Sequence, residues 1–170
     1  MSTPRGIAIL GSTGSIGRST LAVIGLHPDR FRVAALGAYG SWEVVVEQAR
    51  QFQPDVVVLV DPQAAAQARA ALGQCGSKVR VESGEEALAA VVKSRPDLIL
   101  IDIQLPVMDG YEATRRIKAD PSLSSIPIIA VTSYALNGDE EKARAAGCND
   151  FVPKPYSPRQ LLAKIREFLR

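Results

Sequence analysis

Cysteine is nearly missing from this 170-residue chain, histidine and tryptophan occur once each, and aromatic residues make up 5%. The two cysteines, Cys75 and Cys148, lie far apart, with no Cys-x-x-Cys spacing and no histidine beside them. That excludes a disulfide scaffold and a zinc site and fits reduced thiols in a cytoplasmic protein. Charge of one sign is lacking too: 20 Lys plus Arg face 18 Asp plus Glu, and neither side of residue 83 holds a basic or acidic block. A nucleic-acid partner is therefore not expected. No apolar run approaches the roughly 18 to 20 residues of a membrane span, and the opening Met1 to Arg5 is too short and polar for a signal sequence. Neither membrane insertion nor export is expected. Nor does any stretch rich in Gly, Ser or Pro divide the chain, so one sheet is expected rather than two linked domains.

What is present is a 46% hydrophobic composition with mean hydropathy +0.05. A chain of this length buries roughly 70% of its unfolded surface and needs no staple. Short apolar runs alternate with helix-length segments, the pattern of βα units around a parallel sheet. The strands are predicted at 7–10, 33–36, 56–60, 79–81, 98–101, 128–131 and 150–152. The helices are predicted at 17–26, 42–51, 62–72, 85–94, 110–119, 139–146 and 158–168. In the last helix Leu161, Leu162, Ile165, Phe168 and Leu169 recur at helical spacing, as do Leu88, Val91 and Val92 in the fourth. His27, the only histidine, stands in a Leu-His-Pro-Asp turn and is expected to be structural, and Asp109 is expected to cap the helix that follows it.

The first predicted strand runs into Gly11-Ser12-Thr13-Gly14-Ser15-Ile16-Gly17 and then a helix. Such a turn gathers backbone N–H groups at the positive end of a helix dipole, which suits a phosphate. Its spacing is GxxGxxG and not the GxGxxG of the commonest dinucleotide fingerprint. Together with Leu26-His27-Pro28-Asp29-Arg30-Phe31 and Val44-Val45-Val46-Glu47-Gln48-Ala49-Arg50, this stretch resembles the amino-terminal half-domain of 1-deoxy-D-xylulose 5-phosphate reductoisomerases, NADPH-dependent enzymes of isoprenoid synthesis. The resemblance covers about residues 5–83 and implies that Thr13, Gly14, Ser15 and Ile16, between Gly11 and Gly17, line the cofactor's pyrophosphate. Where that family has a basic turn for the 2′-phosphate, this chain has Ala38-Tyr39-Gly40-Ser41. No acidic residue stands at that strand end to hold a free ribose diol either. The family's metal-binding and substrate-phosphate regions have no counterpart downstream, so reductoisomerase activity is not expected.

The second part carries Leu98-Ile99-Leu100-Ile101-Asp102-Ile103-Gln104-Leu105-Pro106-Val107-Met108-Asp109-Gly110, then Ile128-Ile129-Ala130-Val131-Thr132-Ser133, then Asp150-Phe151-Val152-Pro153-Lys154-Pro155. An Asp at a buried strand end can act as a nucleophile toward a phosphoryl donor, a hydroxyl on the next strand can bond the added group, and a lysine can offset its charge. In this order and spacing the residues resemble the receiver domains of bacterial response regulators over about residues 78–170. The resemblance implies Asp102 as phosphoacceptor, with Thr132 and Lys154 as its companions and Phe151 at the family's aromatic switch position. The family's first strand and helix, with the acidic pair that holds Mg²⁺, are missing, and Ser12 and Thr13 stand there instead. Asp102 with the Gln104 carbonyl would make only a weak Mg²⁺ site. Phosphorylation is expected to be weak or absent.

The expected architecture is therefore a single α/β doubly wound (Rossmann/flavodoxin-like) three-layer sandwich of about seven parallel strands in the order 4-3-2-1-5-6-7. A reductoisomerase-like part at 1–83 and a receiver-like part at 84–170 would share that sheet, with the seam near 79–88. The leading expectation is an engineered chimera with no selected catalytic function that binds phosphate or sulfate at the Gly11–Gly17 turn. The alternatives are a module with weak residual NADP(H) contact and a degenerate phosphoacceptor. No specific protein partner is expected beyond a homodimer through the receiver-like face.

Overall fold

The computed structural model describes residues 3–84, 86–105, 109–132 and 138–169. Glu85, Pro106, Val107, Met108 and Ser133, which belong to the helix and motifs quoted above, lie outside the described residues. Seven strands and seven helices alternate strictly. They are β1 (Arg5–Leu10), α1 (Ser15–Gly25), β2 (Phe31–Ala38), α2 (Trp42–Phe52), β3 (Val56–Leu59), α3 (Pro62–Gln74) and β4 (Arg80–Ser83), followed by α4 (Glu86–Lys93), β5 (Leu98–Asp102), α5 (Gly110–Ala119), β6 (Ile128–Thr132), α6 (Asp139–Ala146), β7 (Asp150–Pro153) and α7 (Pro158–Phe168). All pair in parallel in one sheet, in the order β4-β3-β2-β1-β5-β6-β7.

Up to Asp102 and Thr132 at the ends of β5 and β6, the strands β3, β5 and β6 are runs of Val, Ile, Leu and Ala buried on both faces, as a sheet covered by helices on each side requires. Two cores result. One, under α1, α2, α3 and α7, contains Ile9, Leu36, Val57, Leu100 and Leu161; the other, under α4, α5 and α6, contains Leu10, Val58, Ile101, Ile117 and Ile128. The strand β1 joins the two parts of the chain: Ile7 stands opposite Val33 of β2 on one side and Leu98 of β5 on the other. Further ties cross the predicted seam. Asp97 accepts from the Gly6 N–H at 2.7 Å and pairs with Arg5 at 3.2 Å, and α7 packs on α1.

Helix ends follow local chemistry. Asp61 and Asp109 each accept the N–H two residues on, and Ser157 with Gln160 forms a capping box at the start of α7. The first helix starts at Ser15, two residues earlier than its apolar pattern predicts, because Gly14 takes the extended cap conformation. His27 is a turn residue whose backbone bonds Ile24, Arg30 and Phe31, with its ring edge-on to Phe31.

Candidate functional site

Reversal of winding between β1 and β5 brings the two sequence motifs to one point at the carboxyl ends of the strands. The turn after β1 is anchored by two amides: the N–H groups of Gly11 and Ser12 both donate to the Gly37 carbonyl at 2.8 Å. Gly11 has φ +98°, and a Cβ on it would lie 2.9 Å from the Cβ of Asp102, so the turn rests directly on that residue. Gly17 is tighter still, since a Cβ there would fall on the backbone carbonyl of Ser12. That glycine lets α1 start immediately above the turn.

The start of α1 is open. Gly14 caps it without a side-chain bond, and the first bond of the helix runs from the Arg18 N–H to the Gly14 carbonyl. The N–H groups of Ser15, Ile16 and Gly17 precede that bond and have no acceptor within the helix. Below them the Ile16 side chain is buried in the core, its carbonyl near the Tyr156 hydroxyl at 3.5 Å. Burial raises the pKa of Tyr156, with the nearby Asp102 carboxylate adding to the shift and a hydrogen bond with Ser19 opposing it.

Asp102, at the end of β5, is buried, and both its oxygens are engaged. Oδ1 accepts the Gln104 N–H at 2.9 Å, and Oδ2 faces the Lys154 ammonium at 3.6 Å. Lys154 is placed by its own N–H, which donates to the Thr132 carbonyl at 2.7 Å, and the peptide bond that follows it, to Pro155, is cis. Asp102, Thr132 and Lys154 thus meet at adjacent strand ends, while Phe151 packs against the core under α5 and α6. Of the pair suggested for Mg²⁺, the Asp102 carboxylate holds a backbone N–H and an ammonium, and among the described residues no three His, Cys, Asp or Glu side chains gather into a metal-binding group.

A cavity of about 280 Å³ opens between the glycine turn and Asp102, lined by Thr13, Gly14, Tyr39, Ser41 and Gln104 among others. Among the described residues its only acidic or basic lining side chain is Asp102. Residues 38–41 supply no cation for a 2′-phosphate. A second carboxylate stands close instead, for a Cβ on Gly40 would lie 3.6 Å from Oδ2 of Asp61. Asp61 caps α3, accepting the Gln63 N–H at 2.9 Å. The pairing of β2 with β3 is what carries it beside Gly40. Residues 38–41 therefore do not fit the 2′-phosphate of NADP(H) as a basic turn would.

Comparison with known proteins agrees with both motifs. The family model described as 1-deoxy-D-xylulose 5-phosphate reductoisomerase matches residues 7–117, running through α4, β5 and α5. The polar-differentiation response regulator DivK of Brucella anthropi is 45% identical over 91 residues, 54% of this chain and 74% of that protein. Among solved structures, the reductoisomerase of Zymomonas mobilis in complex with NADPH superposes with TM-score 0.63 at 25% identity, over 89% of this chain and 39% of that one. The chain thus spans about two fifths of that enzyme's length. The chemotaxis response regulator CheY4 of Vibrio cholerae, 18% identical, shares the fold with TM-score 0.57 over 98% of this chain and all of that one. The chain belongs to the 1-deoxy-D-xylulose 5-phosphate reductoisomerase family through residues 7–117 and to the response-regulator receiver family through the segment it shares with DivK, and is a hybrid of the two in one sheet.

Proposed function

We propose that the chain is an engineered chimera, with its seam near residue 83, whose one retained chemistry is the binding of inorganic phosphate or sulfate at the Gly11–Gly17 turn, without catalysis. The observation that carries this reading is the open start of α1, where the N–H groups of Ser15, Ile16 and Gly17 face no acceptor in their helix. The engineered origin is supported by two family matches that meet in one sheet, neither covering the whole chain. Asp102 opposes the anion, and Lys154 offsets part of that charge. Isothermal titration with phosphate at low ionic strength is expected to show weak one-site binding. Asp102→Asn is expected to tighten it about fivefold, the effect of removing a like charge worth about 1 kcal/mol in a wet cleft. Equal or weaker binding by the variant refutes the placement of the anion above Asp102.

A second reading, residual NADP(H) binding, is favoured by the superposition on a reductoisomerase in complex with NADPH. It has against it the missing cation at 38–41 and the Asp61 carboxylate. Any NADPH affinity is expected to be no tighter than about 1 mM, read by the cofactor's fluorescence, and micromolar binding would make this the better reading. Phosphoryl acceptance at Asp102 has the Lys154 pair in its favour and the prior engagement of both carboxylate oxygens against it.

A further inference from the structure

The sheet ends at β4, and among the described residues no strand pairs with the outer side of that strand. The Arg80 N–H donates toward β3, to the Asp55 carbonyl at 3.4 Å. In a parallel ladder successive residues of one strand bond to opposite sides, so the N–H and carbonyl groups of Val81, opposite Val57 in the register, point outward. Such an edge is a template for another strand unless it is covered. Here the chain covers part of it with its own side chains. Arg69, exposed and the only charged residue of α3, donates from a terminal amino group to the Val81 carbonyl at 2.7 Å. The Ser77 hydroxyl accepts the Val79 N–H at 3.2 Å.

Two observations fit this edge to a second copy of the same chain. The first is its charge pattern, Arg80-Val81-Glu82. An antiparallel strand centred on Val81 sets that residue opposite itself, where the two copies exchange both N–H···O bonds. Arg80 then stands opposite Glu82 of the second copy, and Glu82 opposite its Arg80, so the charges complement each other twice. A slip of two residues either way sets Arg80 opposite Arg80 or Glu82 opposite Glu82, which fixes the register. The second observation is that neither Arg80 nor Glu82 has an ion-pair partner within its own chain among the described residues. Arg80 shares a cavity with Lys78 and Lys93, which have none either, so a carboxylate arriving there meets only free cations. We propose that the β4 edge is a pairing surface for a second copy of this chain, antiparallel about Val81, and that Arg69 holds it closed. Pairing joins two seven-stranded sheets into one, at the edge farthest from β7. Arg69 opposes it twice: its guanidinium occupies the carbonyl that the second strand needs, and near the dyad it meets Arg69 of the second copy. A four-residue edge strand is short, so association stays weak while Arg69 is in place.

The test is sedimentation velocity of the full chain over a concentration series, with hydrogen exchange read at the Val81 amide. The unaltered chain is expected to stay monomeric at concentrations where Arg69→Ala is dimeric. The variant should associate about tenfold more tightly or better, the effect of freeing an acceptor held by a charged donor. In that background Glu82→Lys sets like charges opposite each other at two places and is expected to weaken the dimer about tenfold. Adding Arg80→Glu reverses the pair and is expected to restore it. The Val81 amide is expected to exchange more slowly in the dimer than in the monomer, because pairing gives it an acceptor. The substituted side chains are exposed or half-buried, and Arg69→Met, which keeps the stem without the donor, replaces Arg69→Ala should that variant misfold. Arg69 variants that fold and stay monomeric, or that associate no more tightly than the unaltered chain, overturn the proposal. So does a dimer that the charge variants leave unchanged, or one whose Val81 amide exchanges as in the monomer, the result expected of association through the receiver-like face.

Discussion

Gly17 sets how closely α1 approaches the turn that precedes it. A side chain there meets the backbone carbonyl of Ser12, which cannot swing aside, because Ser12 is fully buried, its N–H is bonded to Gly37 and its carbonyl accepts from Gln48 Nε2 at 2.8 Å. Gly17→Ala must therefore push α1 off β1, and is expected to cost about 3 kcal/mol, the upper end for overpacking, read as a lowered urea midpoint. A loss under about 0.5 kcal/mol, typical of surface changes, would show that the turn is loose. Asp102 is the other residue on which the site depends. It lies beneath the glycine turn, so an anion bound at that turn would meet its carboxylate.

Among the elements, the end of α5 is fastened to the segments that lead into β6 and β7 by a polar cluster. The Lys118 ammonium donates to the carbonyls of Ser124 and Ile126 and to Asn149 Oδ1, at 2.8 to 3.0 Å, so the end of α5 fixes the entries to β6 and β7. Beside it, burial raises the pKa of the Cys148 thiol above its ordinary 9.0, against the opposing effects of Thr114 and Lys118. The sign follows directly. The unfolded chain ionises this thiol first, so the stability it contributes is complete below pH 9.0 and is lost as pH rises toward the higher folded value. Lys118, whose pKa burial lowers, acts in the opposite direction. Cys148→Ala is expected to flatten the alkaline decline in urea midpoint above pH 9; an unchanged slope would mean that the thiol ionises equally in both states. At this scale the sequence was nearly sufficient. Apolar runs bounded by Pro, Gly and Asp located every strand and helix to within a few residues, because each run has only one period that buries it. The Asp61 carboxylate beside Gly40 was not legible, because it depends on which strand pairs with β2, and no local pattern encodes that.

At the scale of the molecule, the strand order followed from the motifs, since a Rossmann-type first strand and a receiver-type Asp102 strand both belong at the centre of a sheet. Its consequence is that β1 serves both parts. It is the neighbour of β2 from the first segment and of β5 from the second, and the core under α1 and α7 mixes Ile9 and Leu36 with Leu100, Val152 and Leu161. Neither segment retains a complete core without the other, so the two must unfold together. Trp42, the only tryptophan, reports the first segment, and Leu100 in β5 is fully packed in the second. Leu100→Ala is expected to destabilise the chain by about 3 to 4 kcal/mol, as large-to-small changes in a core do. Because the sheet is continuous, the loss should appear equally in Trp42 fluorescence and in helical circular dichroism, with one calorimetric transition before and after. A variant in which Trp42 keeps its original midpoint while the helical signal moves would mean that β1 does not couple the parts, and that the hybrid is two domains sharing an edge.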